Sequence, residues 1–178
     1  MIKFSVDDYL IEVWWGKPPV IMDYYRKHSI FIDEKDLSNQ GTEFYVIISK
    51  GILHPSYSII AFSSDPIGYA GFNPGIHYEK SSDTLFIGAG TTIKTYRLFD
   101  NKKIFQKNHG FGFWGWSKHG DYIIQQEETE LGVFNLKGEK LWETFVSPPY
   151  EFNIDGEDII LKFDDVIERR NLITGLKY

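Results

Sequence analysis

Five histidines, His28, His54, His77, His109 and His119, are the side chains best suited to hold a metal ion or shuttle a proton. None has a histidine partner at the i, i+2 spacing that would put two imidazoles on one face of a strand. His109 and His119 flank a tryptophan-rich segment and could join Asp121 in a site only through the fold. Their places beside Gly110 and Gly120 mark them as turn residues. The chain has no cysteine, which removes thiolate chemistry and disulfides together. It carries no Gly-x-Ser-x-Gly elbow, phosphate loop, His-Glu-x-x-His helix or dinucleotide fingerprint. Gly88 and Gly90 precede a strand pattern instead of a helix, so they read as a hairpin turn. No catalytic residue, metal ligand or cofactor is assigned, and the expectation is a protein that is not an enzyme.

Carboxylates offer a second kind of chemistry. Glu127, Glu128 and Glu130 lie together at an expected hairpin tip, and Asp164 with Asp165 lies at the corresponding tip one repeat later. Acid–base catalysis needs one carboxyl held in a pocket that raises its pKa. Hairpin tips are exposed, so these groups read as solubilising charges, with an acidic recognition edge as the alternative.

Aromatic residues offer a third. In 111–116, Phe-Gly-Phe-Trp-Gly-Trp, strict alternation puts Gly112, Trp114 and Trp116 on one face and Phe111, Phe113 and Gly115 on the other. Two indoles beside glycines can form a platform for a sugar or peptide, or can fill a core that needs close sheet approach. Tyr69 and Phe72 stand in a glycine- and proline-containing loop, 63–78, of the kind that often carries function. The candidate binding residues are therefore Trp114, Trp116, Tyr69, Phe72, Glu127, Glu128 and Glu130.

The elements that must position these residues are strands. Aromatic residues make up 17% of the chain, and such side chains suit pleated, half-buried surfaces. Three segments, 83–88, 121–126 and 158–163, start alike with aspartate after a turn-prone cluster. Each leads into a second strand ending at Leu98, Leu136 or Leu172, and these leucines stand 38 and then 36 residues apart. A short turn follows, then a third strand at 103–106 or 140–146 and a fourth at 111–116 or 150–154. The last unit stops after two strands, and 2–5 with 9–15 could supply the missing ones. Further strands are expected at 29–33, 43–49 and 58–62, with 20–27 as the one short helix.

Four-strand units of this length are the pattern of a β-propeller blade. The run 134–142, Phe-Asn-Leu-Lys-Gly-Glu-Lys-Leu-Trp, resembles the strand-turn-strand element of bacterial propeller repeats of the quinoprotein type, with weaker copies at 96–105 and 171–178. The resemblance implies a blade-like unit and no quinone cofactor. The expected fold is all-β, a propeller-like stack of repeated antiparallel hairpins, incomplete or few-bladed, with a β-sandwich as the alternative. One domain is expected over 1–178, irregular over 1–80 and repetitive over 81–178.

Net charge is −6, which argues against nucleic acid or an anionic membrane as partner. The N-terminal residues lack the basic and apolar regions of a signal peptide, and no apolar run is long enough to span a bilayer, so a cytoplasmic location is expected. In general character, small, acidic, cysteine-free and β-rich, the chain is similar to bacterial immunity proteins and other uncharacterised bacterial proteins. That similarity implies a protein partner; a sugar or small ligand on the aromatic face is the alternative. The strand at 166–172 is a candidate edge through which a homodimer could form, although Glu168, Arg169 and Arg170 discourage such pairing.

Overall fold

Alternating apolar runs bounded by tight turns place strands along nearly the whole chain. The computed structural model describes residues 1–37, 41–51, 53–68, 71–108 and 110–178. They fall into two compact units, Met1–Tyr69 and Ala70–Tyr178.

The first unit contains β1 (Ile2–Val6), β2 (Tyr9–Trp15), α1 (Met22–Lys27), β3 (Ser29–Asp36), β4 (Thr42–Lys50) and β5 (Ser56–Ser64). Its single sheet runs β1-β2-β4-β5-β3, with β3 parallel to β5 and every other pair antiparallel. Asp7, at φ 48°, makes the two-residue turn that sets Val6 opposite Tyr9. The helix forms where Asp23 opens and Arg26 and Lys27 close a single amphipathic turn and a half, signs that match the helix dipole. Its Met22 and Tyr25 pack on Tyr45, Ile47, Tyr57, Ile59 and Ala61. Strand β2 pairs with β4, Val13 opposite Val46 and Trp14 opposite Tyr45. Here the structure departs from expectation: the N-terminal strands complete this sheet instead of the last C-terminal repeat. Strand β2 is apolar on both faces, and its match is the equally apolar β4, not the half-polar outer strand that a blade would require.

The second unit is built from three successive antiparallel meanders. The first holds β6 (Gly75–Glu79), β7 (Thr84–Ala89), β8 (Thr92–Arg97) and β9 (Lys102–Lys107); the second holds β10 (Phe113–His119), β11 (Tyr122–Glu127), β12 (Glu130–Asn135) and β13 (Lys140–Phe145). The third has only β14 (Tyr150–Asp155), β15 (Asp158–Phe163) and β16 (Val166–Asn171). Consecutive four-strand meanders, each its own sheet, are a propeller-like, all-β arrangement.

Each sheet begins one strand earlier than the sequence repeat. Strands β10 and β14, expected to close one unit, instead open the next, pairing with β11 and β15. Turn length decides this. Two residues separate His119 from Tyr122, and two separate Asp155 from Asp158, with Gly120 and Gly156 at positive φ, so each hairpin must pair. The longer links after Lys107 and Phe145 can pass to a new sheet, and Pro148 and Pro149 offer no amide donor to continue the old one.

Neighbouring sheets interlock through the leucine turns. Ser82 Oγ donates to the Leu136 carbonyl, and Thr95 Oγ1 donates to the Gly138 carbonyl at 2.7 Å. One repeat later Trp142 Nε1 donates to the Leu172 carbonyl at 2.8 Å. Two apolar clusters lie between the sheets. Phe86, Ile93, Phe113, Ile123 and Phe134 form one; Ile124, Leu131, Val133, Val146, Ile159, Leu161 and Leu172 form the other. Each such side chain contributes about 2 kcal/mol on burial. No helix among the described residues is long and apolar enough to cross a membrane.

Candidate functional site

Strand β10 does not keep strict alternation. From Gly115 to His119 it pairs regularly with β11, but Phe113 stands opposite Glu127, so Trp114 is an extra residue in a β-bulge. The bulge shifts the faces. Phe113 and Trp116, three apart, now point into one cluster: the Trp116 ring lies 5.3 Å from Phe113, 5.5 Å from Phe86 and 5.7 Å from Phe134. Its indole donates to the Gly75 carbonyl at 3.3 Å. Trp114 is turned outward, 40% exposed, and stacks on Tyr150 at 5.5 Å with 14° between the rings. The two tryptophans therefore form no common platform, because one inserted residue reverses the side on which the first of them stands.

Around Trp114 the fold gathers most of the other candidates. The Tyr150 hydroxyl lies 2.9 Å from the Glu127 carbonyl and 3.3 Å from that of Glu130, so the tip of the β11–β12 hairpin holds the ring on which Trp114 rests. The Phe72 ring covers Gly112, where a Cβ would lie 2.2 Å from it. Gly112 in turn accepts from the Glu128 amide at 2.9 Å. Trp114, Phe72, Glu127, Glu128 and Glu130 share one corner; Trp116 belongs to the core. Tyr69 and His109 lie outside the described residues.

The carboxylates in this corner are not the exposed edge that hairpin tips suggest. Glu127 is fully buried, and Glu128 and Glu130 are half-buried. Lys107, at the end of β9, reaches Glu127 at 3.4 Å, Glu143 at 3.2 Å and also Glu130. Burial and the neighbouring Glu130 push the Glu127 carboxyl up to about 7 against the attraction of Lys107. Burial works against the Lys107 charge too, but Glu130, Glu127 and Glu143 outweigh it and raise its pKa. The tip is covered because β9 belongs to the preceding sheet and its terminal lysine reaches across to these carboxylates. Asp164 and Asp165, at the next tip, are exposed.

No family model matches this chain. No curated protein matches it either. Among solved structures it is similar to the β-propeller domain of the trilobed protease from Pyrococcus furiosus, described as having an open velcro topology. That likeness has 9% identity and a TM-score of 0.46, covering 99% of this chain and 55% of that one. BamB from Moraxella catarrhalis is similar at 13% identity and a TM-score of 0.41, covering 84% and 50%. Kluyveromyces lactis Hsv2 is similar at 14% identity and a TM-score of 0.34, covering 59% and 36%. The chain thus spans about half, or less, of the length of these proteins.

The histidines take separate places. The His119 ring packs edge-on against Phe152, and His77 lies 3.7 Å from Glu79, its pKa lowered by burial. His28 stacks on Tyr24 and bonds its carbonyl.

A concavity absent from the sequence expectations is lined by residues of the first unit alone. It is a cleft of about 950 Å³ whose lining includes Lys3, Ser5, Glu12, Tyr25, Ser49 and Tyr57. Glu12 is 7% exposed and accepts from Lys3 Nζ at 2.8 Å. The sequence did hold one signal for it: a lone carboxylate in the middle of the apolar strand Tyr9–Trp15.

Proposed function

We propose that this chain is a non-catalytic protein-interaction module that anchors its partner on Trp114. The observation that carries this is the display of Trp114: a bulge turns the indole outward, and its stacking on a hydrogen-bonded tyrosine holds it there. A large side chain ordered before binding loses little entropy on association, and tryptophan is prominent among residues that dominate interface energies. Phe111, three residues before Trp114 in the chain, is also exposed, at 44%. The net charge of −6 suits a basic partner, which it would steer toward encounter. A cytosolic antitoxic role, in the manner of an immunity protein facing a basic toxin domain, is the specific form of this proposal.

The test is site-specific photocrosslinking. A benzoylphenylalanine at position 114 should capture one protein from the native cell, and the same probe at position 137 should not. Trp114→Ala should then weaken that purified partner at least about 30-fold, the scale of an interface hot spot. If position 114 captures no more than position 137, and oligosaccharides instead perturb the Trp114 indole resonance, the corner binds sugar and the proposal fails.

A further inference from the structure

The cleft of the first unit exists because its helix is short. Six helical residues cover about 9 Å, whereas the seven residues of β2 extend over about 23 Å. The helix therefore caps only one end of the sheet face. At the other end, Lys3 and Ser5 of β1, Leu10 and Glu12 of β2 and Ser49 of β4 share that face by register. Two small serines make the floor a depression, and the Tyr25 and Tyr57 rings border it.

Glu12 is the chemical centre of this depression. Among the described residues its one short contact is the Lys3 ammonium at 2.8 Å; Trp14 Nε1 and the Tyr25 hydroxyl both donate from 3.4 Å, at the long limit for a hydrogen bond. Lys3 sits on the edge strand with its side chain 47% exposed, whereas that of Glu12 is 10% exposed. A buried carboxylate is thus neutralised by a long side chain whose end reaches solvent, so an incoming cation can exchange with it without leaving the carboxylate uncompensated. The walls suit a cation as well. Lys50 Nζ already rests 5.0 Å from the Tyr9 ring centroid, and Asp7 and Asp8 add negative charge to the lining, so its three carboxylates outnumber its two lysines.

We propose that this cleft binds an arginine side chain of a peptide segment, whose guanidinium takes the place of the Lys3 ammonium on Glu12 and lies against the tyrosine rings. A guanidinium can engage both carboxylate oxygens at once and stack on an aromatic face, neither of which an ammonium does. The cleft is larger than one side chain needs, and it leaves room for the flanking backbone over Ser5 and Ser49. This site lies in a different unit from Trp114 and stands independently of the interaction proposed there.

The experiment is a titration of the full chain with acetyl-Gly-Arg-Gly-amide, followed by the Trp14 indole resonance and assigned with Trp14→Phe. The arginine peptide should shift that resonance saturably. The citrulline peptide, isosteric but uncharged, should bind about tenfold more weakly, the scale of one lost charge-assisted contact. Glu12→Gln should lose a similar factor. Lys3→Met, which removes the competing cation, should tighten binding several-fold, an effect no purely structural role for Lys3 produces. Equal binding of arginine and citrulline peptides would overturn the proposal, as would weaker binding by Lys3→Met, or the lack of a saturable shift in both wild type and Lys3→Met. If Glu12→Gln fails to fold, the citrulline and Lys3→Met arms decide by themselves.

Discussion

The ring of Phe113 occupies the space that a side chain at Gly88 would need: a Cβ there would lie 2.3 Å from Phe113 Cε2. Gly75, paired with Gly88 across the strands, forms the other half of the notch, with its own hypothetical Cβ 2.8 Å from the same ring. Paired glycines on β6 and β7 thus let the second sheet drive an aromatic ring against the backbone of the first.

Gly88→Ala should therefore destabilise the protein by about 1–3 kcal/mol, the usual cost of overpacking a tight core. Gly115→Ala, where a Cβ meets nothing within 4 Å, is the control and should change stability by less than about 0.5 kcal/mol. Urea unfolding monitored by circular dichroism distinguishes the two through their midpoints, provided the slope is unchanged.

Glu127 gives a stability that depends on pH near neutrality. Its carboxyl is held at about 7 in the folded chain against an ordinary 4.5, so the native state binds the extra proton. Its stabilising contribution is complete below 4.5 and is lost as pH rises through about 7, a change on the order of 3 kcal/mol. Glu127→Gln should flatten the stability profile across that window and should be at least as stable as wild type at pH 8. An unaltered profile in the variant would show that the proton resides elsewhere.

Glu79 carries the opposite sign. Burial opposes its charge, but hydrogen bonds from Lys118 at 2.7 Å and from Ser81 outweigh it and hold the carboxyl down to about 2. Its contribution is present above the ordinary 4.5 and disappears as pH falls toward about 2. Lys118→Met should raise the Glu79 pKa, read directly from its carboxyl carbon shift, and should make acid unfolding begin at a higher pH.

The tryptophans divide by accessibility. Trp114→Phe should remove a large part of the iodide-quenchable emission, whereas Trp116→Phe should leave that part unchanged. Trp116→Ala should be the more destabilising alanine variant, by about 2 kcal/mol or more, because its ring packs among Phe86, Phe113 and Phe134 while Trp114 stacks on Tyr150 and is 40% exposed.

What the sequence determined by itself was local. Turns at Gly120, Gly138 and Gly156, the leucines at 98, 136 and 172, and period-two alternation specify hairpins and their repeat, because each signal acts over a few neighbouring residues. The short helix at Met22–Lys27 was legible for the same reason. Tertiary structure decided everything that depends on a partner distant in the chain. The bulge at Trp114 exists because Phe113 must reach the notch at Gly75 and Gly88, so the face of one indole was set by glycines in another sheet. Glu127 was legible as a hairpin carboxylate, yet its burial comes from the packing of the neighbouring sheet that carries Lys107, and that burial together with Glu130 raises its pKa against the pull of Lys107. The cleft at Glu12 follows from the reach of a six-residue helix across a longer strand. Period and turn chemistry are written residue by residue, whereas burial and side-chain direction are properties of surfaces that meet only after the chain has folded.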